Sequence, residues 1–127
     1  MIRFTFLALL ALAACKDETL SGYGAAETVW HLTSIDGADI APSVLLTFPS
    51  QGEIGGQGPC NSYSATQTAP YPWFAVGDFR STKTACPDIS FENDYFTALK
   101  SMTISEISGG TLILSNDAKR TMTFTAQ

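Results

Sequence analysis

Residues 103–124 read TISEISGGTLILSNDAKRTMTF and carry the clearest strand signals in this chain of 127 residues. Near the end of the stretch apolar and polar side chains alternate, so Met122 and Phe124 fall on one face and threonines on the other. The glycines at 109–110 are typical of a tight hairpin, and the Asn-Asp pair at 116–117 is typical of a second turn. The stretch therefore predicts three short antiparallel strands.

Strand signals of the same kind recur through the first part of the chain. Apolar and β-branched runs bounded by turn residues lie at 28–35, 44–48, 53–56, 60–68 and 73–79. Residues 90–102 differ, because their apolar side chains recur at helical spacing and predict one helix of about three turns. We therefore predict a mainly β fold, a small antiparallel β-barrel with one α-helix, in preference to a sandwich.

The N-terminus has the layout of a secretory signal. One positive charge at Arg3 precedes an apolar run, residues 4–14, that ends in small residues directly before Cys15. The run is shorter than the roughly 20 residues that a membrane-spanning helix needs. Its end, LAAC at 12–15, resembles the bacterial lipobox, so we predict cleavage before Cys15 and acylation of that cysteine. An ordinary signal peptide with an incidental cysteine is the alternative.

These signals divide the chain into a signal peptide (1–14), a polar tether (15–26) and one small domain (27–127). The whole chain has a formal net charge of −5, with seven basic and twelve acidic residues. Nucleic-acid binding depends on basic residues that contact phosphates, so an acidic chain without a basic cluster excludes it. With no second long apolar run, the lipid on Cys15 is the predicted membrane anchor.

Two further cysteines, Cys60 and Cys86, remain once Cys15 is assigned to the lipid. Exported proteins occupy an oxidising environment, so a structural disulfide is the favoured interpretation. Closing this loop contributes about 3.5 kcal/mol of stability on the chain-entropy model. A redox or metal pair is disfavoured, because the spacing is not CxxC and His31 is the single histidine. We expect no metal and no cofactor.

Five short motifs follow one another between residues 28 and 125. They are TVWHL at 28–32 with IDG at 35–37, LTF at 46–48, IGGQGPCNSY at 54–63, TKTAC at 82–86 with the helix after it, and the closing LIL and MTF strands. The series resembles the META domain of HslJ-like proteins. The positions it marks, in structural or binding roles, are Trp30, Gly56, Gly58, Asn61, Tyr63 and Thr82.

Three residues depart from the family pattern. Thr84 stands where methionine is usual, Pro59 intervenes before Cys60, and Ala65 replaces a frequent glycine. These differences concern packing and turn shape. The resemblance implies a β-barrel-like fold with one helix and an envelope location, but it implies no reaction.

The sequence shows no set of catalytic residues. His31 is predicted to be an exposed strand residue on the face opposite Trp30, and no pair of the twelve acids stands out. The glycines at 55–58 lack the Lys-Ser/Thr of a phosphate-binding loop. Trp73 and Phe74 suggest an exposed aromatic patch, although at least one of them is expected in the core.

The sequence therefore favours a non-catalytic envelope lipoprotein with a stress-response or envelope-maintenance role. Its predicted partners are the membrane, through the lipid, and an unidentified envelope protein or small ligand. Lys16 after the lipidated cysteine favours the periplasmic face of the outer membrane over the inner membrane. One alternative is a ligand-binding barrel or an inhibitor of lysozyme or a protease. Another is a hydrolase that depends on His31 or an acid.

Overall fold

The computed structural model describes residues 16–127, so the predicted signal peptide and the predicted acylation site, Cys15, lie outside the described residues. A short 3-10 helix, Leu20–Tyr23, comes first. The strands and the helix that follow are β1 (Trp30–Ile35), β2 (Ala38–Asp39), β3 (Leu45–Ser50), β4 (Glu53–Gln57), β5 (Ser62–Thr66), β6 (Gly77–Ser81), α1 (Ile89–Ser101), β7 (Ile104–Ser108), β8 (Thr111–Ser115) and β9 (Thr121–Ala126). No helix within residues 16–127 is both long and apolar enough to cross a membrane.

The strands form one antiparallel sheet that curls into a half-barrel. Their order is β6-β5-β4-β3-β1-β9-β8-β7, and β2 pairs with β1 at the Asp36-Gly37 turn. The hairpin at Gly109-Gly110 joins β7 to β8 in the predicted place. The mainly β, barrel-like fold with one helix is confirmed, and the helix predicted at 90–102 begins and ends one residue earlier.

A segment before β6 lies alongside the edge strand β7. The N–H of Phe74 donates to the Thr103 carbonyl at 2.9 Å, and the N–H of Ser105 donates to the Pro72 carbonyl at 2.7 Å. These bonds attach residues 72–74 to β7, while β6 pairs with β5. The strand predicted at 73–79 was therefore wrong in its first half.

The side chain of Gln67 explains that difference. It is buried, and its Oε1 accepts hydrogen bonds from the N–H groups of Ala69 (3.1 Å) and Ala75 (3.0 Å). Because a side chain satisfies these backbone donors, residues 69–75 form a loop and not a strand. Phe74 turns into the core from this loop, whereas Trp73 is 59% exposed.

The core lies between the sheet and α1. Buried strand residues alternate along the chain, as the period-2 pattern predicts, and the helix contributes one apolar face. The largest fully buried side chains are Trp30, Tyr95, Phe74, Phe124, Leu20, Leu46, Ile54, Leu99, Met102, Leu112, Leu114 and Met122. These side chains fill the interior of the half-barrel.

Much of the predicted polar tether is part of the folded domain. Leu20 and Ala25 are fully buried, and the indole N–H of Trp30 donates to the Ala25 carbonyl at 3.2 Å. The prediction of a polar tether over 15–26 was therefore wrong from Leu20 onward, where the chain packs into the core. Its polar composition concealed two small apolar anchors, whose burial stabilises an ordered segment.

Candidate functional site

The glycine-rich motif and the helix meet at one buried carboxylate. Glu92 lies in the first turn of α1 and is fully buried. Its Oε2 accepts hydrogen bonds from the N–H groups of Cys60 (2.7 Å) and Asn61 (2.8 Å), and its Oε1 accepts one from Asn61 Nδ2 (2.5 Å). A Cβ at Gly58 would lie only 2.5 Å from Oε2, so glycine is required for this approach.

Asn61 connects this carboxylate to the segment after β6. Its Oδ1 accepts hydrogen bonds from Thr82 Oγ1 (2.8 Å) and from the Thr84 N–H (2.6 Å). Its Nδ2 also donates to the Thr84 carbonyl at 2.9 Å. Both ends of the amide are therefore hydrogen-bonded, and the backbone N–H and carbonyl of Thr84 fix its orientation. We call Asn61, Glu92, Thr82 and Thr84 the polar cluster.

A disulfide joins the same two segments. Cys60 and Cys86 are bonded, with their Cα atoms 5.6 Å apart, as predicted. Cys60 directly precedes Asn61, and Cys86 lies three residues before α1 begins. The covalent link and the polar cluster thus fix the start of the helix against the turn between β4 and β5.

Two buried tyrosines form a second part of the site. The Tyr63 hydroxyl donates to the Leu45 carbonyl at 2.7 Å, and it lies 2.6 Å from the Tyr95 hydroxyl. A phenol has one proton, so Tyr95 is the donor to Tyr63. Burial, first, and the neighbouring hydroxyl raise the pKa of Tyr63 well above its ordinary value. Burial likewise raises the pKa of Tyr95.

Gly56 allows the tyrosine pair to form. A Cβ built there would lie 2.0 Å from the Leu45 carbonyl oxygen and 2.6 Å from the Tyr63 hydroxyl. The ring of Tyr63 also packs against Phe79 and Phe96, whose ring centroids are 5.9 and 5.3 Å away. The sequence motif thus places one glycine beside the carboxylate and another beside the phenols.

The structure brings together five of the six motif residues predicted from the sequence, namely Gly56, Gly58, Asn61, Tyr63 and Thr82. Trp30 lies elsewhere in the core, where it contacts the N-terminal segment through Ala25. Sequence reasoning did not identify Glu92 as a site residue. The available signal was its spacing, because Glu92 precedes Tyr95 and Leu99 by three and seven residues and so shares their buried face.

A groove lies beside the polar cluster on the surface. It has a volume of about 600 Å³ and runs between α1 and residues 79–85, with Lys83 and Lys100 among its lining residues. The Lys100 ammonium lies 4.9 Å from the centroid of the Phe79 ring. The groove therefore offers two cations and aromatic edges on an acidic protein.

The other residues considered from the sequence are dispersed. His31 is half-buried opposite Trp30, more buried than predicted, and its Nε2 has no hydrogen-bond partner among the described residues. Asp36 forms an ion pair with Arg120 at 3.1 Å, and the Thr121 N–H, first, and Arg120 lower the pKa of Asp36. Within residues 16–127 no group of three or more His, Cys, Asp or Glu residues has the arrangement of a metal site.

These features define a class of protein, namely an antiparallel half-barrel with one helix fixed by a buried Asn–Glu contact and a disulfide. A family model of the META domain matches residues 24–127. The chain belongs to the META-domain family, with which HslJ-like proteins are associated. The predicted resemblance is confirmed. The match begins inside the segment predicted to be a tether.

Solved structures agree with this fold. The chain is similar to a protein from Burkholderia xenovorans solved by NMR, with a TM-score of 0.66, 23% identity, and coverage of 92% of this chain and 93% of that chain. It is also similar to a DUF4847 family protein from Bacteroides vulgatus, with a TM-score of 0.65, 15% identity, and coverage of 81% and 94%. No curated protein matches the chain. At these identities the similarity concerns the fold alone.

Proposed function

We propose that this META-domain protein is a lipid-anchored module of the bacterial envelope that acts by binding and not by catalysis, in stress response or envelope maintenance. One observation carries the non-catalytic part. The polar residues of the family motif direct their hydrogen bonds into the fold, since Asn61 uses both ends of its amide and Glu92 both oxygens. Groups used in this way position the helix and are not available to a substrate.

Two features support export and anchoring. The Cys60–Cys86 disulfide is stable in an oxidising compartment and rare in the cytosol. The sequence before Cys15 has the charged and apolar parts of a signal, and Cys15 stands at the position of a lipidated residue. Lys16 after it favours the periplasmic face of the outer membrane.

A second candidate function is the binding of a small ligand in the groove next to the polar cluster. Its volume of about 600 Å³ lies within the range of ligand sites. Lys83 and Lys100 favour a ligand with a negative charge, and the rim of Phe96 supplies an apolar contact. Exchange of Lys83 and Lys100 for alanine should lower survival in the complementation assay described below if the groove binds such a ligand. Exchange of Lys119 for alanine, outside the groove, is the control and should leave survival unchanged.

Cell fractionation tests the anchor. The wild-type protein should be found in the membrane fraction, whereas Cys15→Ser should be released in soluble form or stay unprocessed. Recovery of the wild-type chain from the cytoplasm with residues 1–14 attached would contradict the proposal.

Complementation tests the non-catalytic part. In a deletion strain under heat or detergent stress, His31→Gln should restore survival as well as the wild type does, because His31 has no catalytic role in the proposal. Cys15→Ser should not. Loss of survival with His31→Gln in a protein of unchanged stability would favour the hydrolase alternative, and lysozyme and protease inhibition assays test the inhibitor alternative.

A further inference from the structure

Two exposed aromatic side chains belong to segments that contact each other near the point where the described chain begins. Tyr23 and Trp73 are the large apolar residues with substantial exposure in residues 16–127, at 45% and 59%. The ring of Tyr23 stacks on that of Tyr71, with centroids 4.6 Å apart and an angle of 17°. Tyr71 and Trp73 belong to one turn, closed by the Trp73 N–H donating to the Pro70 carbonyl at 2.8 Å. We call Tyr23, Tyr71 and Trp73 the aromatic patch.

The N-terminal segment is fastened to this patch. The N–H of Tyr71 donates to the Glu18 carbonyl at 2.7 Å. The carboxylate of Asp17 accepts hydrogen bonds from the N–H of Thr19 at 2.9 Å and from the Ser21 hydroxyl. The Glu18 carbonyl therefore attaches the segment to the domain, and Asp17 stabilises the turn that follows it.

This attachment limits how far Cys15 can lie from the patch. Only Lys16 and Asp17 separate Cys15 from Glu18. An extended chain spans at most about 3.6 Å per residue, so the Cα atoms of Cys15 and Glu18 are separated by no more than about 11 Å. The headgroup region of one leaflet is about 5–8 Å thick. Acyl chains on Cys15 would therefore hold the patch within reach of the headgroups.

We propose that the aromatic patch docks on the surface of the membrane that holds the lipid of Cys15, with Trp73 and Tyr23 among the lipid headgroups. This inference rests on the acylation of Cys15 in the proposed function. Tryptophan and tyrosine favour the membrane interface, because they combine an apolar ring with a polar group. The short connection keeps the patch at the bilayer and leaves little room for a soluble partner between them.

The charges around the patch indicate which lipids it contacts. Lys16 is basic, but Glu18 and Glu106 are exposed acids on segments that bond to Tyr71 and Pro72. The patch has no polybasic cluster, so its attraction to the bilayer comes from the rings. Zwitterionic lipid is therefore sufficient, and contact should persist at high salt.

Tryptophan fluorescence tests this orientation, because the two tryptophans differ in position. Trp30 is 1% exposed in the core, and Trp73 is 59% exposed in the patch. The lipoprotein is purified from bacterial membranes, its acylation is read from its intact mass, and it is reconstituted in phosphatidylcholine vesicles with or without brominated acyl chains. Trp73→Phe, which retains Trp30, is the matched control.

Docking predicts that brominated lipid lowers the emission of the wild type more than that of Trp73→Phe, at low and high salt alike. The Trp73 component of the emission should also shift to shorter wavelength on reconstitution. If brominated lipid lowered the emission of both proteins equally, and aqueous acrylamide still quenched Trp73, the docking proposal would be overturned. The mass of an acylated chain would at the same time support the lipid anchor. The patch would then be free for a protein partner. A mass without acyl chains would overturn both.

Discussion

Glu92→Gln is the substitution that examines the polar cluster most closely. The change conserves shape and replaces one carboxylate oxygen by an NH₂ group. In the native protein three N–H donors face the two oxygens, with distances of 2.5–2.8 Å. Whichever way the new amide turns, its NH₂ must face at least one of those donors. Asn61 cannot rotate to relieve the conflict, because Thr84 holds both ends of its amide.

The expected cost follows from these contacts. A hydrogen bond to a charged group contributes about 1.5–3 kcal/mol, and a buried donor left without an acceptor costs about 1–3 kcal/mol. We therefore expect Glu92→Gln to lower the free energy of unfolding by about 2–4 kcal/mol. That is a large part of the roughly 5–15 kcal/mol typical of a folded domain.

Urea unfolding of the oxidised mature chain measures this cost. The emission of Trp30, which is buried in the core, reports on unfolding, and linear extrapolation gives the free energy. Glu106→Gln makes the same chemical change at an exposed position of β7 and should alter stability by less than about 0.5 kcal/mol. If Glu92→Gln also changed stability by less than about 0.5 kcal/mol, the stabilising role assigned to the carboxylate would be refuted.

Three other predictions concern the same region. Gly56→Ala should destabilise by about 1–3 kcal/mol or more, because its Cβ would overlap the Leu45 carbonyl, whereas Gly110→Ala should be tolerated, since its nearest neighbour is 3.7 Å away; equal urea midpoints would contradict this. Removing the disulfide by Cys60→Ser with Cys86→Ser should cost about 3.5 kcal/mol, and an unchanged melting temperature would oppose it. The pKa values of Tyr63 and Tyr95 are raised in the folded protein, so the unfolded chain loses these phenol protons first as the pH rises above the ordinary value of 10. The stability of the folded protein is therefore fully present below pH 10 and decreases above it. Tyr95→Phe should make this alkaline loss shallower in pH-dependent unfolding, and an identical pH profile would count against the buried pair.

Local patterns were sufficient to predict most of the fold. The alternation at Met122 and Phe124 and the helical spacing of the apolar residues in α1 reflect the face of each element that is buried. In the structure Met122, Phe124, Tyr95 and Leu99 are fully buried, and Phe91 is half-buried at the edge of the core. The glycines at 109–110 indicated the position of the hairpin between β7 and β8, because a tight turn favours residues that tolerate a positive φ. These are signals within one element, so neighbouring residues are enough to detect them.

The predictions that failed depend on contacts between distant segments. Residues 69–75 form a loop because Gln67 binds their backbone, and Leu20 is ordered because the domain offers a place to bury it. The structural role of Glu92 could not be predicted, because its donors, the N–H groups of Cys60 and Asn61, lie more than thirty residues earlier in the chain. The helical spacing of Glu92 is enough to predict that it lies on the buried face of α1. Its hydrogen-bond partners can be identified only in the three-dimensional structure.

The intact mass of the protein extracted from the membranes of its own bacterium, combined with a non-reducing peptide map, tests the central claim most directly. A lipid-anchored envelope module predicts a chain that begins at an acylated Cys15 and contains a peptide cross-linked through Cys60 and Cys86. A chain that retains residues 1–14 and carries three free thiols would contradict it.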